Sequence, residues 1–457
     1  MIQDMKKLFG SLILIFALIA HSSKAFAQQP AASDELTEIA KQLVASLVKE
    51  DFASVVKNFD DTMKRVSPED KLRETWKAVI GQVGAFKNQY GVRKEKAAEF
   101  DAVVVSCEFA LFAVDVKVVF NGQKQISGLF FLPASTPPPA KPASAFKKPD
   151  YANLDSFIEK EVTVGAGEWA LSATLTLPKG EGKFVAIVLV HGSGPHDRDE
   201  TIFQNKPFRD LAWGLASQGI AVLRYEKRTK AHAAKLVAIA ESVTVKEEAV
   251  DDALAAVALL KTNEKIDAKK IFVLGHSLGG MLLPRIAKGD ASIAGLISLA
   301  GLTRPLEDTI LEQMTYIASL EGNVSPQAQQ QLEIVKAQVA KVKDATLKPG
   351  DKGLLLGVPG SYWLDLRGYN PPEEAKNLKQ PMLILQGEKD YQVTLKDFEN
   401  WKAALGARKD VEFKSYAKLY HLFIETEEKA APSNYAKEGN IAKYVIDDIV
   451  AWIKRQK

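Results

Sequence analysis

Cysteine is almost missing. Cys107 is the only one in 457 residues, so no intrachain disulfide can form. It stands in the alternating run Val103-Val104-Val105-Ser106-Cys107-Glu108-Phe109-Ala110 with no neighbour that would lower its pKa. It therefore reads as a packed strand residue and not as a nucleophile. An excess of one charge is missing too: 60 basic and 57 acidic side chains leave a net charge of +3. That balance gives no electrostatic reason to invoke nucleic acid or an anionic membrane surface as a partner. Histidine is scarce at six residues, which limits the general bases available. No internal repeat is visible, and no apolar run spans a bilayer. The run Leu8 to Ala20 covers 13 residues, too short to cross comfortably.

That run has the company of a targeting segment. Lys6 and Lys7 precede it, and Ala25-Phe26-Ala27 ahead of Gln28 is an A-x-A cleavage signal, so a removable signal peptide is expected over 1–27. No cysteine stands near the cleavage point to take a lipid. The mature chain is then exported, periplasmic or secreted, without a stable membrane anchor.

A small α+β domain is expected over 33–132. Ser33-Asp34-Glu35-Leu36 opens a helix, and apolar residues recur at Leu36, Ile39, Ala40, Leu43, Val44 and Leu47, which is helical spacing. Further helices are predicted from Phe52 to Phe59 and from Pro68 to Gly81. From about Phe86 the pattern alternates. Ala102 to Phe109, Phe112 to Phe120 and Gln125 to Phe131 read as strands, with Asn121-Gly122 as a hairpin turn between the last two. Six prolines between Pro133 and Pro149 mark a semi-rigid linker over 133–150.

Beyond it, 151–457 reads as an α/β domain. Phe157 to Val164 and Trp169 to Leu177 look like an antiparallel hairpin. Phe184 to Val190 and Ile220 to Tyr225 are strands with continuous apolar character, separated by a helical segment around Asp210 to Gln218. Val245 to Lys261 is an amphipathic helix. Ile293 to Leu299, Pro381 to Leu385 and Val411 to Tyr416 are further strands, and Tyr435 to Lys454 a closing helix. Between Ala300 and Pro381 stand about 80 residues where a short crossover would suffice. Leu306 to Leu347 is strongly helical, so a helical lid is expected over about 303–375.

Gly275-His276-Ser277-Leu278-Gly279-Gly280 joins the apolar run Lys270 to Leu274 to the helix-compatible Met281 to Lys288. Strand, G-x-S-x-G, helix is the nucleophile elbow of an α/β-hydrolase, which sets Ser277 at a turn too tight for bulky neighbours. By composition alone the pentapeptide arises in roughly one chain in ten of this length, so its partners must decide. On this fold an acid and then a histidine follow the serine. Of His21, His191, His196, His232, His276 and His421, only His421 lies after Ser277, in a loop past the last predicted strand. Eight aspartates fall between the two. Asp390, on the loop after the strand Pro381 to Leu385, is the best placed to orient His421. Asp397 is the alternative and reads as a solvated helix residue; Glu388 stands nearer the strand and comes too early.

An oxyanion hole would draw one amide from Leu278 and another from Ser193, in His191-Gly192-Ser193-Gly194-Pro195 after Val190. A phosphate loop is excluded there because no Gly-Lys-Ser/Thr follows. His276 should point away from substrate in a structural role. His196-Asp197-Arg198-Asp199-Glu200 fits a loop-stabilising network better than a metal site, and neither metal nor cofactor is called for.

The string His191 to Thr201, the elbow GHSLGG and Gln386-Gly387-Glu388-Lys389-Asp390-Tyr391-Gln392-Val393 together resemble the esterase D-like group of bacterial α/β-hydrolases. The resemblance covers roughly Phe157 to Lys457. It implies carboxylesterase activity on short acyl esters, with Ser277, Asp390 and His421 as the triad, and nothing in these motifs departs from the pattern. The small domain resembles the cone-shaped α+β fold related to nuclear transport factor 2. The expected function is hydrolysis of a small-molecule ester through an acyl-enzyme. Tyr362 and Trp363 are candidates either to line an acyl pocket or to pack in the core. The alternatives are a serine peptidase or aminopeptidase of the same fold and a non-catalytic ligand-binding protein. The natural ester and the oligomeric state are not written in the sequence.

Overall fold

The protein is described by a computed structural model covering residues 35–456, apart from 98–99, 110–112, 135–146, 321, 323, 325, 352 and 429. The leader expected over 1–27 and most of the proline-rich linker lie outside the described residues. The chain divides into two compact units, Met1–Ser144 and Ala145–Lys457. Among the described residues no helix is long and apolar enough to cross a membrane.

In the first unit, helices α1 (Glu35–Val48), α2 (Phe52–Lys57), α3 (Asp61–Val66) and α4 (Glu69–Val83) precede strands β1 (Phe86–Ala97), β2 (Phe100–Phe109), β3 (Ala113–Phe120) and β4 (Ile126–Pro133). The strands form an antiparallel sheet in sequence order. Asp51 and Asp60 cap α2 and α3, their carboxylates accepting from Ser54 N and Met63 N, which satisfies amides that the helix cannot. Leu43, Val44, Leu47, Phe52 and Trp76 pack against Val103, Val105, Cys107 and Phe109 of the sheet. Burial pushes the Cys107 thiol up to about 12, so it is inert at neutral pH.

Besides the short α3, which no pattern announced, two expectations fail in this unit. A fourth strand, β1, precedes the three anticipated: the alternation that begins near Phe86 belongs to an edge strand whose sequence, FKNQYGVRKEKA, is mostly polar. Asn121-Gly122 is not a two-residue turn either. The connection runs from Asn121 to Gln125, with Asn121 Oδ1 accepting from the amides of Gln123 and Gln125. The left-handed residue is Lys124, at φ 60°.

The second unit holds an eight-stranded sheet. Its elements in chain order are β5 (Phe157–Val164), β6 (Leu171–Pro178), β7 (Phe184–Val190), α5 (Pro207–Ala216), β8 (Ala221–Tyr225), the short α6 (Arg228–Ala231) and α7 (Ala233–Ala238), α8 (Asp251–Lys261), β9 (Ile266–His276), α9 (Leu278–Gly289) and β10 (Gly295–Leu299). Then come α10 (Leu306–Ser319), α11 (Pro326–Lys343), α12 (Gly360–Leu366), α13 (Pro371–Ala375), β11 (Met382–Gly387), α14 (Leu395–Leu405), β12 (Val411–Tyr416) and α15 (Lys443–Arg455). The strand order is β12-β11-β10-β9-β7-β8-β6-β5. Strands β8, β7, β9, β10, β11 and β12 pair in parallel, and β5 and β6 join antiparallel at one edge. This is the α/β-hydrolase arrangement, with a helical insertion from α10 to α13 between β10 and β11.

The central parallel strands are largely apolar because helices cover both faces; every residue of β8, β10 and β11 is buried, while the edge strand β12 (VEFKSY) alternates. Helix α15 turns Val445, Ile446, Ile449, Val450, Trp452 and Ile453 inward, each side chain contributing about 1.5–3 kcal/mol. It starts later than expected. Residues 437–442 are pinned in non-helical form, with Gly439 N and Ile441 N donating to Asn205 and Asp210. Parallel strands all end at one sheet edge, and there the loops after β7, β9, β11 and β12 converge, where open α/β sheets bind ligands.

Candidate active site

Ser277 stands between β9 and α9, as the residue that caps α9, with φ 53° and ψ −115°, a left-handed conformation that costs a non-glycine residue about 1–3 kcal/mol. Its neighbours explain how it is held. A Cβ on Gly275 would collide with the backbone of Gly279 and Gly280, and one on Gly279 with the carbonyls of Val190 and His191. Only glycine lets strand, helix and the β7 loop approach so closely. The Ser277 amide donates to Leu299 O at 2.9 Å, locking the elbow to β10.

Asp390 leaves β11 on a short loop. Its Oδ1 accepts from the amides of Gln392 (2.8 Å) and Val393 (3.0 Å). Its Oδ2 lies 2.7 Å from His421 Nδ1 and 3.4 Å from Gln386 Nε2. An ionised carboxylate only accepts, so Nδ1 carries the proton and Nε2 is left as the basic nitrogen. The acid and histidine loops are zipped together: Glu388 N donates to Tyr416 O and Lys389 N to Leu419 O, both at 2.9 Å. Asp390, His421 and Ser277 are all buried. The His421 ring lies beside the elbow, 4.6 Å from the ring of His276.

The loop after β7 comes down onto the elbow. A Cβ at Gly192 would meet Ser277 Cβ at 3.2 Å. The Gly192 amide is taken, donating to Glu200 Oε1 at 2.7 Å. The amides of Ser193 and Leu278 carry no internal hydrogen bond among the described residues. The structure thus gathers Ser277, Asp390, His421, Ser193 and Leu278 at one sheet edge. Glu388 turns away to accept from Ser415 Oγ. Asp397 is not solvated, as its helical spacing implied. It is fully buried at the start of α14, where it accepts from Thr303 N, Thr303 Oγ1 and Arg304 and anchors the loop after β10. Tyr362 and Trp363 belong to the core, with Trp363 Nε1 donating to Leu355 O at 2.8 Å.

Sequence reasoning missed two supports. Gln386 Nε2 bonds Val393 O at 2.7 Å, bracing the acid loop, although its place in the string 386–393 pointed to no role. Glu200, at φ 51°, sits beneath the elbow with Oε2 2.9 Å from His276 Nδ1, while His276 Nε2 is 3.0 Å from His421 O. Both ring nitrogens face oxygen atoms, an arrangement that favours the protonated imidazole. The remainder of the HDRDE run is the expected network: Asp199 pairs with Lys206 and Arg224, and Arg198 with Glu161 and Glu226. Among the described residues no group of three or more His, Cys, Asp or Glu could hold a metal ion.

Burial alone would push the Glu200 carboxyl up, but the charge and contact of His276, with His196 and His191 behind it, hold it well below its usual range. Burial likewise works against charge on His276, and Glu200 overcomes it, raising the imidazole. The Glu200 contribution is present above about pH 4.3 and is lost as pH falls through its depressed pKa. That of His276 is complete below about pH 6.5 and is lost as pH rises through its raised pKa. Glu200→Gln is therefore expected to cost about 3–5 kcal/mol at pH 6 and to flatten the alkaline decline of the wild type. Thermal unfolding between pH 5.5 and 9 checks this, and an unchanged alkaline slope would count against the pair.

Comparison with known proteins gives the family of the chain. A family model described as serine aminopeptidase, S33, matches residues 184–429. A second, described as a protein of unknown function (DUF3887), matches 40–129. Esterase EstD of Thermotoga maritima is 37% identical over 410 residues, covering 90% of this chain and 93% of that protein. Among solved structures, Est1E from Butyrivibrio proteoclasticus is 15% identical with a TM-score of 0.42, over 65% of this chain and 98% of that one. An acylaminoacyl peptidase of Pyrococcus horikoshii is 15% identical with a TM-score of 0.43, over 81% and 50% respectively. Through the match to 184–429 and its near full-length kinship with EstD, this chain belongs to the serine aminopeptidase S33 family of α/β-hydrolases and is a carboxylesterase-type hydrolase.

Proposed function

We propose that the enzyme cleaves short-chain acyl esters through an acyl-enzyme on Ser277. His421 takes the Ser277 proton as the hydroxyl oxygen attacks the ester carbonyl, and returns it to the departing alkoxide. Water then attacks the acyl-enzyme with His421 again as base, releasing the acid and restoring Ser277. Asp390 fixes the tautomer and stabilises the imidazolium. The amides of Ser193 and Leu278 receive the oxyanion, a role in which one donor is worth about 2.7–4 kcal/mol. The observation that carries this is the 2.7 Å contact of Asp390 with His421 Nδ1, at the sheet edge where Ser277 stands with its positive φ.

The family description keeps peptide bonds in view as an alternative substrate, and the EstD kinship favours esters. A series of p-nitrophenyl esters from acetate to decanoate, run beside aminoacyl p-nitroanilides, separates the two. We expect kcat/KM to peak between acetate and butyrate and to exceed that of any anilide by at least about a hundredfold. Anilides turned over faster than esters would overturn the assignment. We also propose export, supported by Lys6-Lys7, the apolar run and Ala25-Phe26-Ala27; its mark would be a mature N-terminus at Gln28.

A further inference from the structure

Lys227 is an unusual lysine, only 2% exposed, at the end of the segment that follows β8. Its ammonium reaches the loop after β7 and donates to Gly192 O at 2.7 Å. The backbone of the same residue donates to His196 O at 3.1 Å, so Lys227 grips that loop at both ends. Behind the ammonium, Glu248 accepts a second bond from Nζ. Glu248 lies in the π-helical turn Lys246–Val250 that leads into α8, a local irregularity often found where a side chain must be aimed. A buried relay therefore runs from Glu248 through Lys227 to one backbone carbonyl.

That carbonyl is the informative part. Gly192 O and Ser193 N belong to the same peptide unit, and Ser193 N–H is the amide assigned above to the oxyanion. A peptide is planar and its two ends are conjugated. A cation on the oxygen draws electron density from the nitrogen, makes the N–H a stronger donor and fixes the plane in which it points. The neighbouring Gly192 amide is held independently by Glu200, so the unit is clamped from both sides. Burial raises the effect, since a charge acts more strongly out of water.

We propose that Lys227 is a positioning residue of the oxyanion site, which orients and polarises the Gly192–Ser193 peptide, with Glu248 setting the ammonium in place. This rests on the Ser277 acyl-enzyme reading. Lys227 touches no substrate. It acts when negative charge develops on the carbonyl oxygen, so it should affect the transition state and leave ground-state binding almost alone.

The test uses Lys227→Met together with Glu248→Gln, because Lys227→Met alone would leave a buried carboxylate unpaired and endanger folding. The single Glu248→Gln, which keeps the cation, is the companion. Each full-length protein is assayed for kcat and KM on p-nitrophenyl acetate, for inhibition by an alkyl trifluoromethyl ketone, and for the fraction of sites titrated by a fluorophosphonate. The ketone forms a hemiketal oxyanion on the serine and so reports on the donors directly. Losing a whole oxyanion donor costs about 10²–10³ in kcat, and losing the polarisation of one should cost less. We expect the double variant to lose about 10- to 100-fold in kcat with KM within about threefold, and the ketone to weaken by the same factor as kcat/KM. Glu248→Gln should fall between it and the wild type, and titration should stay near complete in all three. The proposal is overturned if kcat is unchanged, if the loss is in KM alone, if ketone affinity stays constant while kcat falls, or if the titrated fraction drops in step with activity. Ser277→Ala serves as a control. Activity surviving there refutes the acyl-enzyme reading itself, whereas a dead Ser277→Ala with an unaffected Lys227 variant refutes only this inference.

Discussion

Alanine at position 277 is expected to lower kcat for ester hydrolysis by about five to six orders of magnitude and to abolish fluorophosphonate labelling. The magnitude follows from the loss of the atom that forms the covalent intermediate; what survives is binding and the oxyanion donors, together worth about 10³–10⁴ over water. The variant is clean because alanine keeps a Cβ. It occupies the same left-handed conformation at φ 53° as the serine does, and the amide bond to Leu299 O is untouched. Stability should therefore change by less than about 1 kcal/mol, measured by denaturant unfolding. A Ser277→Ala protein within tenfold of wild-type activity would sink the nucleophile assignment.

Asp390→Asn is expected to cost about 10⁴ in kcat at neutral pH with little change in KM. The two Asp390 oxygens face different partners. Oδ1 accepts from two backbone amides, of Gln392 and Val393, so the asparagine oxygen is retained there and the NH₂ turns toward His421. A donor opposite Nδ1 selects the other tautomer, with the proton on Nε2, and that nitrogen can no longer accept from Ser277. The same change at Asp397 should cost stability through Thr303 and Arg304 while leaving the pH dependence of kcat intact. If Asp397→Asn produced the kinetic loss and Asp390→Asn did not, the acid would be misassigned.

What could be read from the sequence divides along physical lines. The elbow was legible because its glycines, apolar strand and following helix are local, and His421 because the chain offers no other histidine after Ser277. Asp390 was legible through its place just past an apolar strand. The edge strand β1 showed only as alternation from about Phe86, because a mostly polar strand offers no apolar face to mark its bounds. Asp397 was misread because helical spacing says which residues share a face and not what that face meets, and here it meets the loop after β10. Glu200, Lys227 and Gln386 were invisible in their roles. Each is an ordinary polar residue until a distant segment folds against it, and Lys227 gains its meaning from a carbonyl 35 positions away.

Helix α10 is fastened to the loops beside the acid and the base. Gln313 Nε2 donates to Gln392 O at 2.9 Å and the Tyr316 hydroxyl to Ala430 O at 2.8 Å, while Tyr316 stacks on Tyr391 at 5.0 Å. Tyr391 is the residue next to Asp390, and Tyr420 beside His421 belongs to the same aromatic cluster. The insertion is therefore part of the frame that holds the proton-carrying pair: any loosening of α10 would be felt at Asp390 and His421 through these bonds.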